Sequence, residues 1–193
     1  GIAERARFYP QLVATAVIVG FIYPFYEGIV WNQHFGLQAW LKTLTGDEFH
    51  DFAGSVVVHA LGGWIALPAV LLLGARSNRY KKDGAISAHP PSSIPFLALG
   101  AWVLCVGWFG FNGGSALAAG AGATAAIMNT HLAASTAALI WIGIERIRIG
   151  KSTSIGIVTG AIAGLATVTP AAGYIGPMGA ILLGALGGSV CFY

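Results

Sequence analysis

The sequence predicts an all-α polytopic membrane protein, and three observations carry that reading. Of 193 residues, 56% are hydrophobic and only 9% charged, against roughly 25% charged in an average soluble domain. The apolar residues gather in stretches close to the ~20 residues with which a helix crosses a bilayer core of about 30 Å. The basic residues are confined to short segments between those stretches. The same composition excludes other classes: a disordered tail needs low hydrophobicity, a nucleic-acid binder a dense basic face, and a disulfide scaffold many cysteines. Cys105 and Cys191 lie inside apolar runs and read as small core residues.

Taken in order, the chain reads as five or six spans over residues 10–31, 52–73, 94–111, 123–144, 154–168 and 178–193. The last two share one apolar run without charge, divided only by Thr169-Pro170-Ala171-Ala172-Gly173 and Pro177, where proline and glycine mark a turn or a break. Nine of the ten basic residues fall in three segments: Arg5 and Arg7; Arg76, Arg79, Lys81 and Lys82; Arg146, Arg148 and Lys151. Two spans separate each segment from the next, which puts all three on one face, cytoplasmic by the positive-inside rule. Loops 74–92 and 145–153 are therefore expected inside. Loop 32–50, with Lys42, Asp47 and Glu48, is expected outside. Residues 1–193 read as one multi-pass domain of the cell (inner or plasma) membrane, surrounded by lipid. Its opening half-loop at Gly1 and its final span ending at Tyr193 suggest a piece of a longer bundle. Glycines at four-residue intervals (Gly156, Gly160 and Gly164; Gly184 and Gly188) let helix backbones approach closely in lipid.

Polar groups inside such spans cost a few kcal/mol unless paired, so each one needs a reason. His59 lies eight residues past Asp51, roughly 12 Å down a helix at 1.5 Å per residue. It reads either as packing between helices or as a proton acceptor lining a narrow path, since imidazole exchanges a proton near neutral pH. Asp51 opens the same span, where a carboxylate caps the helix or raises the local concentration of a cation. His131 reads as a packing residue, and Glu27 is assigned no role. The run Gly107-Trp108-Phe109-Gly110-Phe111-Asn112-Gly113-Gly114-Ser115-Ala116 closes its span. Its aromatics suit an interfacial belt, but glycines, exposed rings and the Ser115 hydroxyl, with Trp31 at the end of the first span, also suit a cage for a small cation. Ring faces attract such an ion by about 0.5–2 kcal/mol.

These residues resemble the Amt branch of the ammonium transporter family, which also includes the Rh proteins. The matching runs are Ala3-Glu4-Arg5-Ala6-Arg7-Phe8, Asp51-Phe52-Ala53-Gly54-Ser55-Val56-Val57-Val58-His59, residues 107–115, and residues 154–176 with Gly-Ala-Ile-Ala-Gly and Thr-Pro-Ala-Ala-Gly-Tyr-Ile-Gly. The resemblance implies an eleven-span bundle of two inverted halves with a pore in each subunit of a homotrimer. This chain would supply about six of the eleven. The outer ammonium site would comprise Trp31, Phe111 and Ser115, with Trp108 beside it and Asp51 supporting it from behind. His59 would match the first of two pore histidines, the second lying beyond Tyr193, and the partner of the gate ring Phe111 would precede Gly1. Ammonium would lose its proton near His59, a requirement that rejects potassium. No enzymatic activity, cofactor, metal or nucleic acid is implied. Ammonium or ammonia is the implied cargo, and a PII-type regulator the implied partner at the inner mouth. The alternative is an ammonium sensor whose transporter-like domain is fused to a signalling domain such as a histidine kinase. Two departures stand out. The stretch between Trp31 and Asp51 is longer than usual and contains Trp40 and an amphipathic segment, 35–44, expected as a surface loop on the trimer or a flap over the mouth. The aromatic run ends Phe-Asn-Gly-Gly-Ser where Phe-Asn-Ala-Gly-Ser is usual.

Overall fold

The computed structural model describes residues 2, 4–87 and 89–193. Gly1, Ala3 and Ala88 lie outside the described residues, so the first position of the domain, one residue of the first matching run and one of loop 74–92 rest on sequence alone. All described elements of any length are helices, and four are long and apolar enough to cross a membrane: Phe8–Val30, Ser55–Leu73, Ile94–Gly114 and Ala121–Ile149. Two shorter apolar helices, Ser154–Val168 and Pro177–Phe192, complete the expected six. The predicted fold class is borne out. The chain divides into two compact units, Gly1–Phe49 with Val56–Pro90, and His50–Ser55 with Pro91–Tyr193.

In the first unit, α1 (Phe8–Val17) and α2 (Tyr23–Val30) form one rod joined by a widened π turn at Ile18–Ile22. Pro24, two residues past the turn, has no N–H to return to residue 20, so the ladder is already open where the turn widens. A single 3-10 turn, His34–Gly36, leads into α3 (Leu37–Thr45), which ends at Gly46 in the left-handed conformation (φ 87°) that glycine adopts without strain. The Gln38 amide donates to the Val30 carbonyl at 2.8 Å, satisfying an otherwise orphaned end of α2. Residues 32–50 thus contain a short helix tied back to the span before it. The second rod begins with a π segment at Ser55–Ala60 and continues as α4 (Leu61–Leu73). Loop 74–92 folds over itself, with the Lys81 amide donating to the Ala85 carbonyl and the Ser87 amide to the Arg79 carbonyl, both at 2.9 Å.

The second unit is built on α6 (Ala121–Ile149), flanked by α5 (Ile94–Gly114), α7 (Ser154–Val168) and α8 (Pro177–Phe192). Its core is made of small residues, with Ala126, Ala133, Val168, Ala172 and Ala180 fully buried. The glycine stripes explain why. A Cβ at Gly164 or Gly184 would strike the Ala133 carbonyl, and one at Gly188 would stand 2.8 Å from the Ala137 carbonyl. α7 and α8 therefore clamp the Ala133–Ala137 stretch of α6 backbone to backbone. At 29 residues α6 is about 44 Å long, more than the hydrocarbon core, so it emerges carrying Arg146 and Arg148, and the connecting turn is confined to 150–153. The Glu145 carboxylate, nearly buried, accepts from the Thr153 amide (2.7 Å) and hydroxyl (2.8 Å), while Thr153 caps α7 by accepting from the Gly156 amide at 2.9 Å.

Candidate functional site

The break between α7 and α8 is the point from which the site is built. Backbone leaving a helix inside a membrane must have its polar groups satisfied by protein. Asn129 of α6 does this, its amide donating to the carbonyls of Ala172 (2.8 Å) and Ile175 (2.7 Å). The preceding residues then hold two other segments. The Trp108 indole N–H donates to the Thr169 hydroxyl at 2.9 Å, and that hydroxyl donates to the Leu165 carbonyl at 2.7 Å. One residue on, the Pro170 carbonyl accepts from the Phe52 amide at 3.0 Å. Phe52 packs edge-on against Tyr174, with centroids 5.3 Å apart, and over Gly173, where any Cβ would enter its ring.

Asp51 completes this strap. Asp51 is 5% exposed, and its carboxylate accepts from the amides of Gly54 (3.0 Å) and Ser55 (2.9 Å), at the entry to the second span. The Ser55 hydroxyl donates to the Ala166 carbonyl at 2.5 Å. The structure thus assigns Asp51 the capping geometry and connects its segment to Trp108 through Thr169 and Pro170. Sequence reasoning missed Thr169. Its signal was a hydroxyl beside a proline in an otherwise apolar break, where freed carbonyls need a donor.

Trp108, Phe111 and Ser115 come together at the end of α5. The Trp108 and Phe111 rings are 6.0 Å apart and tilted by 57°, and Phe111 remains 39% exposed. Ser115, at the helix C-cap, donates to the Phe111 carbonyl at 2.9 Å. The described polar hydrogens of this group are therefore spent on protein oxygens. Below it, fully buried Asn112 donates to the Thr130 hydroxyl at 2.8 Å, locking α5 to α6. The unusual Gly113 has a local reason: a Cβ there would stand 2.8 Å from Ile127 Cγ1, so Ile127 occupies the room an alanine methyl would need.

Trp31 and His59 belong to the first unit. Trp31 closes α2, its amide donating to the Glu27 carbonyl at 2.8 Å, with 38% of its surface exposed. His59 is half-buried in the π segment Ser55–Ala60. His131, read as a packing residue, lies 6.1 Å from the Phe109 ring and borders an apolar cavity of about 310 Å³ between α5, α6 and α7. Among the described residues no group of three or more His, Cys, Asp or Glu is placed to hold a metal ion.

Membrane-length helices and glycine-clamped packing define a polytopic membrane protein. The profile described as the Ammonium Transporter Family matches residues 1–193, and the chain belongs to that family. An ammonium transporter of Aquifex aeolicus is 43% identical over 189 residues, covering 98% of this chain and 41% of that protein. Ammonium transporter Amt1 of Archaeoglobus fulgidus is 41% identical, covering 99% and 45% respectively. Among solved structures, one described as Sensor Amt Protein superposes with a TM-score of 0.89 at 34% identity, covering 99% of this chain and 47% of its own. Candida albicans Mep2 gives 0.83 at 33%, covering 97% and 40%. The chain thus spans less than half the length of these relatives.

Proposed function

We propose that this chain is part of an ammonium transporter in which Trp31, Phe111 and Ser115, with Trp108 beside them, take ammonium from water, and His59 receives its proton. The observation that carries the reading is the family match over residues 1–193. The cluster on α5 supports it chemically. With the Ser115 hydrogen committed to the Phe111 carbonyl, the hydroxyl oxygen faces a ligand as an acceptor. With the Trp108 N–H committed to Thr169, the indole offers its π face. Potassium matches ammonium in charge and nearly in size, but has no N–H to donate and no proton to lose. Trp31 and His59 are assigned to the pathway on their motifs, and Asp51 is assigned the supporting role that its capping bonds suit. The proposal extends to a homotrimer in the cell membrane with the basic loops cytoplasmic and a PII-type regulator at the inner mouth.

A second reading, an ammonium sensor with a fused signalling domain, is favoured by the structural neighbour described as Sensor Amt Protein. Radiolabelled methylammonium separates the two when offered to the full-length protein in proteoliposomes. Saturable uptake, reduced at least tenfold by Phe111→Ala, is the result expected of a transporter. Saturable binding without flux supports the sensor. Absence of both contradicts either reading.

A further inference from the structure

Trp31 enters the proposed pathway on its motif, and the structure builds a brace around the helix end that carries it. Residues that follow Trp31 fold back along α2. His34 sits against buried Gly28, where a Cβ would stand 2.7 Å from His34 Nδ1. The Phe35 ring lies 5.6 Å from that of Phe25. Gln38, 6% exposed, donates through Nε2 to the Val30 carbonyl at 2.8 Å. The contacts thus climb α2 from Phe25 through Gly28 to Val30 and end one residue short of Trp31. The backbone that brings them there is costly: Gln33, Phe35 and Gly36 all adopt the left-handed conformation, at φ 56°, 62° and 67°. Glycine does so freely, but a phenylalanine stays there only where its surroundings over-determine it.

We infer that Gln38 is a positioning residue for Trp31: its bond to the Val30 carbonyl fixes the last turn of α2 and so holds the indole in the geometry that binds ammonium. The inference rests on the reading of Trp31 as an outer-site residue. Only the NH2 end of an amide can serve a carbonyl, so the Gln38 side chain has one orientation. Its Oε1 is then left buried with no hydrogen-bond partner among the described residues. A buried acceptor in that state costs free energy that an apolar side chain of the same length would avoid. Packing alone therefore does not account for a glutamine here, and the bond to Val30 does. The Val30 carbonyl belongs to the final turn of α2, where carbonyls lack partners within the helix, and Trp31 is the C-cap that follows it, at the end that frays first. A ring that attracts a cation through its face must be held there, because the attraction is lost once the ion leaves that face.

The test uses radiolabelled methylammonium and the full-length protein in proteoliposomes, read as the half-saturating concentration for binding and the maximal rate of uptake. Gln38→Met keeps the length of the side chain and removes its donor. It should raise the half-saturating concentration about fivefold, the worth of one hydrogen bond, and leave the maximal rate within about twofold of wild type. Trp31→Ala should raise the half-saturating concentration at least as far. In the Trp31→Ala background Gln38→Met should add no further shift, since its effect passes through the ring. Thr43→Ala, an exposed change on the same helix, should match wild type in both measurements. An unchanged half-saturating concentration in Gln38→Met, or an equal shift with and without Trp31, overturns the inference and leaves the reading of Trp31 intact. An unchanged value in Trp31→Ala overturns that reading and the role of Gln38 with it. Unfolding midpoints identify the variants that fold. If Gln38→Met does not, Gln38→Asn, which keeps the amide but shortens its reach to Val30, decides by the same comparison.

Discussion

At the scale of single residues, the proposed cage on α5 depends on hydrogens committed to protein oxygens. Thr169 receives the Trp108 N–H and passes its own hydrogen to Leu165, so Thr169→Val leaves a part-buried indole donor facing a methyl group. A loss of about 1–3 kcal/mol is expected from thermal unfolding of the full-length protein, together with weaker ammonium binding, while Thr169→Ser stays near wild type. Gly113 allows a second check. Gly113→Ala should cost about 1–3 kcal/mol because the new methyl group meets Ile127, and adding Ile127→Ala should return part of it by opening the same space. The sequence made Trp108, Phe111 and Ser115 conspicuous because aromatic rings and glycines crowd one helix end. It did not reveal which way their hydrogens point. That depends on Thr169, which lies 61 residues from Trp108 and whose role is set by the break in the chain between α7 and α8.

At the scale of elements, hydrophobic run length located the six apolar helical segments, with ends displaced by a few residues, because a bilayer core imposes its own thickness on an apolar segment. Glycine spacing was equally legible, since four-residue repeats fall on one helix face whatever lies opposite. Gly164→Val should therefore separate α7 from α6 at the Ala133 carbonyl and sharply lower the recovery of folded protein in mild detergent. The π segments at Ile18–Ile22 and Ser55–Ala60 were not legible. Each adds one residue to a turn in response to its surroundings, and no composition marks it beyond the Pro24 that follows the first. The second of these segments carries His59 and starts from amides bound by Asp51. Asp51→Ala should destabilise the protein by about 0.5–2 kcal/mol, and Asp51→Asn by less, because the amide oxygen still accepts. Comparing the unfolding midpoints of the two variants checks that role directly.

On the scale of the whole molecule, the chain is a self-consistent set of membrane helices that matches less than half the length of its relatives, so the proposed pathway belongs to the full protein. The physical demand on that pathway is to distinguish two monovalent cations of nearly equal size. In the proposed mechanism a cage of ring faces and one oxygen would lower the cost of dehydrating either ion, and proton removal would distinguish them, since only ammonium can proceed as a neutral molecule. Methylammonium uptake by proteoliposomes containing the full-length His59→Ala protein tests this most directly, with bound ammonium measured on the same preparation. The account predicts that uptake falls at least tenfold while binding at the outer cage persists. Uptake at the wild-type rate, with wild-type exclusion of potassium, would contradict it.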